Sequence, residues 1–302
     1  MEKQASFTGR GRVKKKKRLS KRIEPFLYLA PALIFFVGFT YYPFAKTVFS
    51  SFFLVNSMGE IREFVGLENF ISVLTNPAFL QSIKTTLIYV VMSSPIAIFI
   101  ALLLAMIANR KTKLSPVYEM LYAITMAVSM SVAAMIFQLM YNPTIGILNY
   151  IFNTHFNWLN DKKIAMIALS LIAVWLNIGY NFLFLLSAVR GISSDLLESA
   201  DIDGANFFQR TFKIIVPIIS PTVFYLICNS LAKNMMMSGL VLILTQGAPQ
   251  GSTETMISFM YKQSVNNLNY NDGYAAAIIA FIITSIAMAF SFSFEKKGVH
   301  YN

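Results

Sequence analysis

Six runs of this chain, 26–49, 85–109, 120–141, 164–189, 214–232 and 273–294, are apolar and almost free of charge. A helix needs roughly 20 such residues to cross a hydrocarbon core about 30 Å thick. In that medium every backbone N–H and C=O must find its partner inside the segment, which a helix does by itself. The fold class that follows is an all-α polytopic membrane protein with six transmembrane helices, residues 26–294 forming the membrane domain. Composition agrees, since 13% of the 302 residues are charged against about 25% in soluble domains. A seventh run, 239–245, is too short to cross and reads as the outer end of the fifth helix or a re-entrant piece.

Lysine and arginine in short loops set the orientation. With the N-terminus inside, the inner side carries the basic tail 1–25, then Arg110, Lys111 and Lys113, then Arg190, Arg210 and Lys213, and finally Lys296 and Lys297 in the tail 295–302. The outer side carries Arg62, Lys84, Lys162, Lys163 and Lys262. Both termini are therefore expected to be cytoplasmic. The first span is too long for a cleaved signal peptide and contains Pro31. The run Lys14, Lys15, Lys16, Lys17 and Arg18 reads as a disordered, solvated tail touching anionic membrane lipid. It lacks the aromatic and fold signals of a nucleic-acid site, so no nucleic-acid partner is expected.

One cysteine, Cys228, and two distant histidines, His155 and His300, leave no disulfide and no metal-binding spacing. Phosphate-loop, nucleophile-elbow and zinc-helix motifs are absent. No enzymatic site and no cofactor is expected in this chain, so any ATP and magnesium must be used on another subunit. The six spans hold no carboxylate, with Glu24 and Glu119 at or beyond their ends, which argues against a proton-coupled carrier and keeps an ATP-independent carrier or passive channel as the remote alternative.

Between the fourth and fifth spans lies an inner, charged island within 190–217. Asp195 and Glu198 have the spacing of a capping box, with Ser193 and Ser194 as alternative caps. Leu196, Leu197, Ala200 and Ile202 give a small apolar stripe, and Glu198, Asp201 and Asp203 an acidic side. Gly204 stops the helix where positive φ is tolerated. Asn206 can cap a second helix bearing Phe207, Phe208 and Phe212, and Pro217 opens the next span. Such a helix either docks into a partner's groove or rests on its own membrane domain.

The island resembles the Glu-Ala-Ala loop of ATP-binding-cassette importer permeases at Glu198, Ala200, Asp203, Gly204, Ala205, Phe212, Ile215 and Pro217, with Ser199 for the middle alanine. Val65-Gly66-Leu67-Glu68-Asn69-Phe70, Tyr141-Asn142-Pro143 with Gly146, and Tyr180-Asn181-Phe182-Leu183 resemble its carbohydrate-uptake branch. So does Leu244-Thr245-Gln246-Gly247-Ala248-Pro249, where Ala248 stands for the usual glycine. In order and spacing the chain is similar to glycerol-3-phosphate and multiple-sugar permeases over nearly its whole length.

The resemblance implies the transmembrane domain of a type I importer, importing a sugar or oligosaccharide, or an anionic polyol or sugar. Its expected partners are two ATP-binding-cassette ATPase subunits, a second related permease and an extracellular solute-binding protein. Leu196, Leu197 and Ala200 would anchor the ATPase, Glu198 would meet a basic group there, and Asp203, Gly204 and Ala205 would shape the turn.

Polar residues within spans face a cavity or a neighbouring helix. The fourth span offers Asn177, Tyr180 and Asn181, and the fifth Asn229, Lys233 and Asn234. They line a solute path or bind helices together, and Lys233 either meets an anion or snorkels outward. Met235, Met236 and Met237 read as packing. Segments 64–81, read as an amphipathic helix, and 250–271 are placed to meet the binding protein. Trp158 reads as an outer-interface anchor and Trp175 as packing.

Overall fold

The computed structural model describes residues 17–109 and 112–298, with side chains described for 25–109 and 112–295. The basic run at 14–16, Arg110, Lys111 and the last four residues lie outside the described residues, and the tail's helical backbone begins at Lys17, ahead of position 26. The described chain divides into two units, one ending at Phe49 and the other beginning at Ser50.

The first unit is α1 (Lys17–Phe36), a wide turn at Val37–Tyr41 and α2 (Tyr42–Ser50). Pro43 has no N–H to give the carbonyl one turn back, and the ladder widens so that Tyr42 N–H reaches Val37 O. The span Pro25–Ser50 still has the length and apolarity to cross a membrane.

The second unit opens with a hairpin that hydropathy did not predict: β1 (Phe53–Val55) pairs antiparallel with β2 (Ile61–Phe64). Asn69, buried on α3 (Glu68–Thr75), donates to the carbonyls of Ser51 and Phe53 at 3.0 Å each. Segment 64–81 is thus a strand end, a short helix and the start of α4 rather than one amphipathic helix. Asn76 caps α4 (Pro77–Ala108) by accepting from Ala78 N–H, with Pro77 at the first helical position.

The principal pairing joins α4 to α8 (Ala165–Arg190). Ala97, Ala101, Ala105 and Ala108 on α4, and Ala165, Ala168 and Ala173 on α8, are buried. Small side chains let backbones approach where lipid supplies no hydrophobic drive to associate.

The third predicted span, 120–141, is not straight. The helical stretches Ser115–Ala127 and Met130–Met140 meet at 99°. The break follows α5 (Ser115–Ala123) and a tight turn at Ile124–Ala127. Val128 then goes extended, and Ser129 caps α6 (Met130–Met140) by accepting from Val132 N–H. Five single helices and this bent pair are the spans of the described chain.

Beyond α6, α7 (Ile147–Phe152) packs through Asn149, which donates to Pro143 O and Phe156 O and accepts from Trp158 Nε1 at 2.9 Å. Trp158 is half-buried and stacked on Tyr141. Trp175 packs edge-on against Phe137, as expected.

The fifth span begins later than position 214. The island of α9 (Ser194–Ile202) and α10 (Phe207–Arg210) runs into a wide turn at Thr211–Ile215 and the one-turn α11 (Val216–Ile218). Only then does α12 (Ser220–Met235) start, because Pro217 and Pro221 both lack the N–H that a continuous helix uses. After a break at 236–238, α13 (Gly239–Leu244) completes the span Ser220–Leu244. The short run at 239–245 is therefore the end of that span. The chain closes with α14 (Met256–Tyr261) and α15 (Tyr270–Gly298).

Candidate functional site

At one end of the second unit, the island is an exposed helical hairpin. The Asp195–Glu198 capping box does not form: Ser193 takes the cap position of α9 without a side-chain bond. Termination matches expectation. Gly204 has φ +76°, and Ala205 N–H closes back on Ala200 O at 3.0 Å. Asn206 and Gln209 form the reciprocal cap of α10, at 2.9 and 3.0 Å.

Arg210, which charge counting treated only as a boundary residue, donates from Nη1 to both carboxylate oxygens of Asp201, at 2.9 and 3.0 Å. It ties α10 to α9 across the glycine. Of the three expected anchors, Leu197 packs on the domain's core and Ala200 is 5% exposed, so both face inward. Leu196, at 44%, remains outward with Ile202, at 86%. Glu198 and Asp203 are exposed, and Ala205 is half-buried.

Arg190, at the end of α8, carries a second contact that charge counting missed. Its guanidinium makes 2.6 and 3.2 Å bonds to Glu119 and a 3.2 Å bond to Ala108 O. The ends of α4 and α8 and the middle of α5 are thereby joined four residues before α9.

Further along α8, a cavity of about 600 Å³ collects Asn177, Tyr180, Lys233 and Asn234, with Met236 and Met237 in its wall. The Lys233 ammonium lies 4.4 Å from the centre of the Tyr180 ring. This is the geometry of a cation over an aromatic quadrupole, and it places Lys233 on the cavity rather than reaching away from it. Asn177 donates to Ala173 O of its own helix at 2.7 Å, so it binds no neighbouring helix through that bond. Asn234 does bind one, donating to Ser94 Oγ on α4 at 2.7 Å.

Asn181 and Asn229 stand outside the cavity lining. Four residues advance a helix about 40° past a full turn, and that drift takes Asn181 from the cavity into the packing, where it is 1% exposed with neither amide atom partnered. Asn229 is half-buried.

The bend in the third span borders the same cavity. Thr125 Oγ1 accepts from Gly179 N–H at 3.0 Å, and a Cβ on Gly179 would stand 2.6 Å from that oxygen and 3.0 Å from Ala123 O. A second, polar pocket of about 310 Å³ lies beside α14. Its buried Glu254 faces Lys262 at 3.6 Å. Burial raises this carboxyl above its ordinary range, and Lys262 offsets part of the rise.

Residues 69–296 match the family described as "Binding-protein-dependent transport system inner membrane component". The "sn-glycerol-3-phosphate transport system permease protein UgpA" of Agrobacterium fabrum (strain C58 / ATCC 33970) is 34% identical over 284 residues, covering 93% of this chain and 97% of that protein. The "Probable ABC transporter permease protein YurN" of Bacillus subtilis (strain 168) is 30% identical over 285 residues, covering 92% and 97%. A chain in the crystal structure of a bacterial alginate ABC transporter, in complex with alginate pentasaccharide-bound periplasmic protein, superposes with a TM-score of 0.80. The two are 20% identical, and the match covers 93% of this chain and 98% of that one, so they share the fold.

Proposed function

Since the chain belongs to the family of binding-protein-dependent transport system inner membrane components, we propose that it is the permease subunit of an ATP-driven importer of sugars or oligosaccharides. In this reading a second, related permease completes the path, two ATPase subunits grip the exposed hairpin of each permease on the cytoplasmic side, and an extracellular binding protein delivers the solute. The observation that carries it is the continuity of α8. That helix bears the cavity residues Asn177 and Tyr180 and ends in the Arg190 clamp, four residues before α9. A push on the hairpin is thereby transmitted along a rigid rod to the cavity wall.

Closing of the ATPases would draw the hairpins together and rock the spans from inward-open to outward-open. Leu196 and Ile202 supply the outward apolar contacts and Glu198 the charged one. Leu197 and Ala200 hold the hairpin to its own domain. The test is uptake in vesicles. The complete set of subunits is expected to accumulate solute only with ATP inside and binding protein outside, whereas uptake by this chain alone, without nucleotide, would refute the assignment.

A second reading concerns the solute's charge. Lys233 is exposed on the cavity, with no carboxylate within ion-pair distance among the described residues. An ammonium so placed suits an anionic solute such as a polyol phosphate or a uronate. Losing one charge-assisted contact costs about 1.5–3 kcal/mol, so Lys233→Met is expected to raise KM for an anionic solute by at least about tenfold and leave a neutral one unaffected. Equal KM values in wild type and variant for an anionic solute would dispose of the anion site.

A further inference from the structure

Three aromatic rings and one ammonium cluster where α8 and α12 are left uncovered. Lys233 lies over Tyr180, the ring centre of Phe184 is 4.7 Å from that of Tyr180, and that of Tyr225 is 5.5 Å from Phe184. The hydroxyls of Tyr180 and Tyr225, 2.8 Å apart, close the three rings into a triangle. Phe184 is 40% exposed and Tyr225 46%. Tyr180 also lines the cavity, so the cluster starts at its wall. Phe184 lies one helical turn beyond it, toward Arg190 and the hairpin.

Lipid is a poor occupant for this surface. Phenol hydroxyls and an ammonium are costly in hydrocarbon and usually mark a cavity or pathway. The strip of Ile282, Ile286 and Phe290 on α15, exposed and wholly apolar, is the kind of surface that suits lipid.

We propose that Tyr180, Phe184 and Tyr225 form a stacking track along which a ring-shaped solute, a pyranose or a uronate, moves from the cavity toward the cytoplasmic side. This rests on the importer reading above and names its solute class. The apolar C–H face of a pyranose packs on an aromatic face, while the two phenols offer hydrogen bonds to its hydroxyls. An open-chain polyol phosphate has no flat face and gains nothing from such a cluster.

The test uses the full importer in inside-out vesicles. Single cysteines replace Phe184, Tyr225 or, as a lipid-side control, Phe290, with the native thiol removed by Cys228→Ser. A water-soluble cationic methanethiosulfonate is expected to label Phe184→Cys and Tyr225→Cys at least about tenfold faster than Phe290→Cys, since reaction needs water and a thiolate. Rates equal to the control would overturn the track.

Uptake of maltose, a galacturonate dimer and glycerol-3-phosphate is then compared, each with its binding protein. Wild type is expected to take up a ring solute, Phe184→Leu to lower that uptake about fivefold, a size set by aromatic stacking, and Phe184→Tyr to restore it. Accumulation of glycerol-3-phosphate alone, unchanged ring-solute uptake in Phe184→Leu, or loss of the second permease from that variant's purified complex each overturns the proposal. ATP-independent uptake by wild type would instead sink the importer reading, while the labelling rates still decide the track.

Discussion

A Gly204→Val variant is expected to reach the membrane at close to wild-type amounts and to lose at least about nine-tenths of ATP-driven uptake. The turn residue has φ +76°, and nothing lies within 4 Å of where its Cβ would be. The substitution therefore creates no clash, and the packing that carries the spans into the membrane is untouched. Its cost is conformational: a β-branched residue held at positive φ is strained by about 1–3 kcal/mol.

The chain can relieve that strain by swinging α9 relative to α10. Opposing the swing are the Arg210–Asp201 pair, whose carboxylate is more than half exposed, the packing of Leu197 and Ala200, and the turn bonds from Gly204 N–H to Asp201 O at 3.2 Å and from Ala205 N–H to Ala200 O at 3.0 Å. The exposed pair contributes about 0–1 kcal/mol and each backbone bond about 0.5–1.5 kcal/mol, so a strain of about 1–3 kcal/mol is of the same size as what resists it and is enough to shift the angle of the hairpin. Leu196, Glu198 and Ile202 are then presented in the wrong direction to any docked partner. Gly204→Asn is the matched control, because asparagine enters the left-handed region at little cost, and it should keep most activity. Paired measurements of membrane abundance and ATP-dependent uptake decide the matter. Normal uptake by the valine variant would show that the angle of this turn does not carry the coupling.

What could be read from residues alone follows from which physical constraints are local. Long apolar runs announce spans because lipid imposes length and apolarity on every segment separately. Gly204 and Asn206 were legible for the same reason, since a left-handed turn and a helix cap are satisfied within a few residues. The bend at Val128 and Ser129 was hidden by hydropathy, which does not distinguish a straight apolar helix from a broken one. The β1–β2 hairpin has strands of three and four residues, too short to show alternation.

Partnerships across the sequence were the least visible. Leu197 and Ala200 were placed on the docking side because a nine-residue stripe does not reveal which surface covers it. Arg190 and Arg210 were weighed as topology charges, although each closes on a carboxylate, 71 and 9 residues away. Asn177 and Asn181 stand four apart on one span and were read alike, yet one lines the cavity and the other is buried in the packing.

Gly179→Ala is expected to lower the thermal midpoint of the purified protein by several degrees, the larger of the two effects on stability foreseen here. The added methyl would meet Thr125 Oγ1 at 2.6 Å, with Ala123 O at 3.0 Å and Tyr122 O at 3.1 Å. Real Cβ contacts do not come as close as 2.6 Å, and the two backbone oxygens are also tighter than most, so rotating the Thr125 side chain alone does not make room. The bend would have to back away from α8. That movement also lengthens the Gly179 N–H bond to Thr125 Oγ1, now 3.0 Å.

Overpacking costs about 1–3 kcal/mol, and weakening a buried hydrogen bond adds about 0.5–1.5 kcal/mol. A double-mutant cycle separates the two contributions. Thr125→Ala removes the closest atom and the bond together, so by itself it should cost about 1 kcal/mol. Placed on Gly179→Ala it should recover part of the lost stability, leaving the cost due to the two carbonyls. A double variant as unstable as the sum of the singles would mean that Thr125 and Gly179 do not hold each other. The bend would then owe its position to the cap at Ser129 alone. Because Thr125, Asn177 and Tyr180 line the same cavity, the alanine variant should also change solute affinity, which the Gly204 substitutions, remote from the cavity, should leave alone.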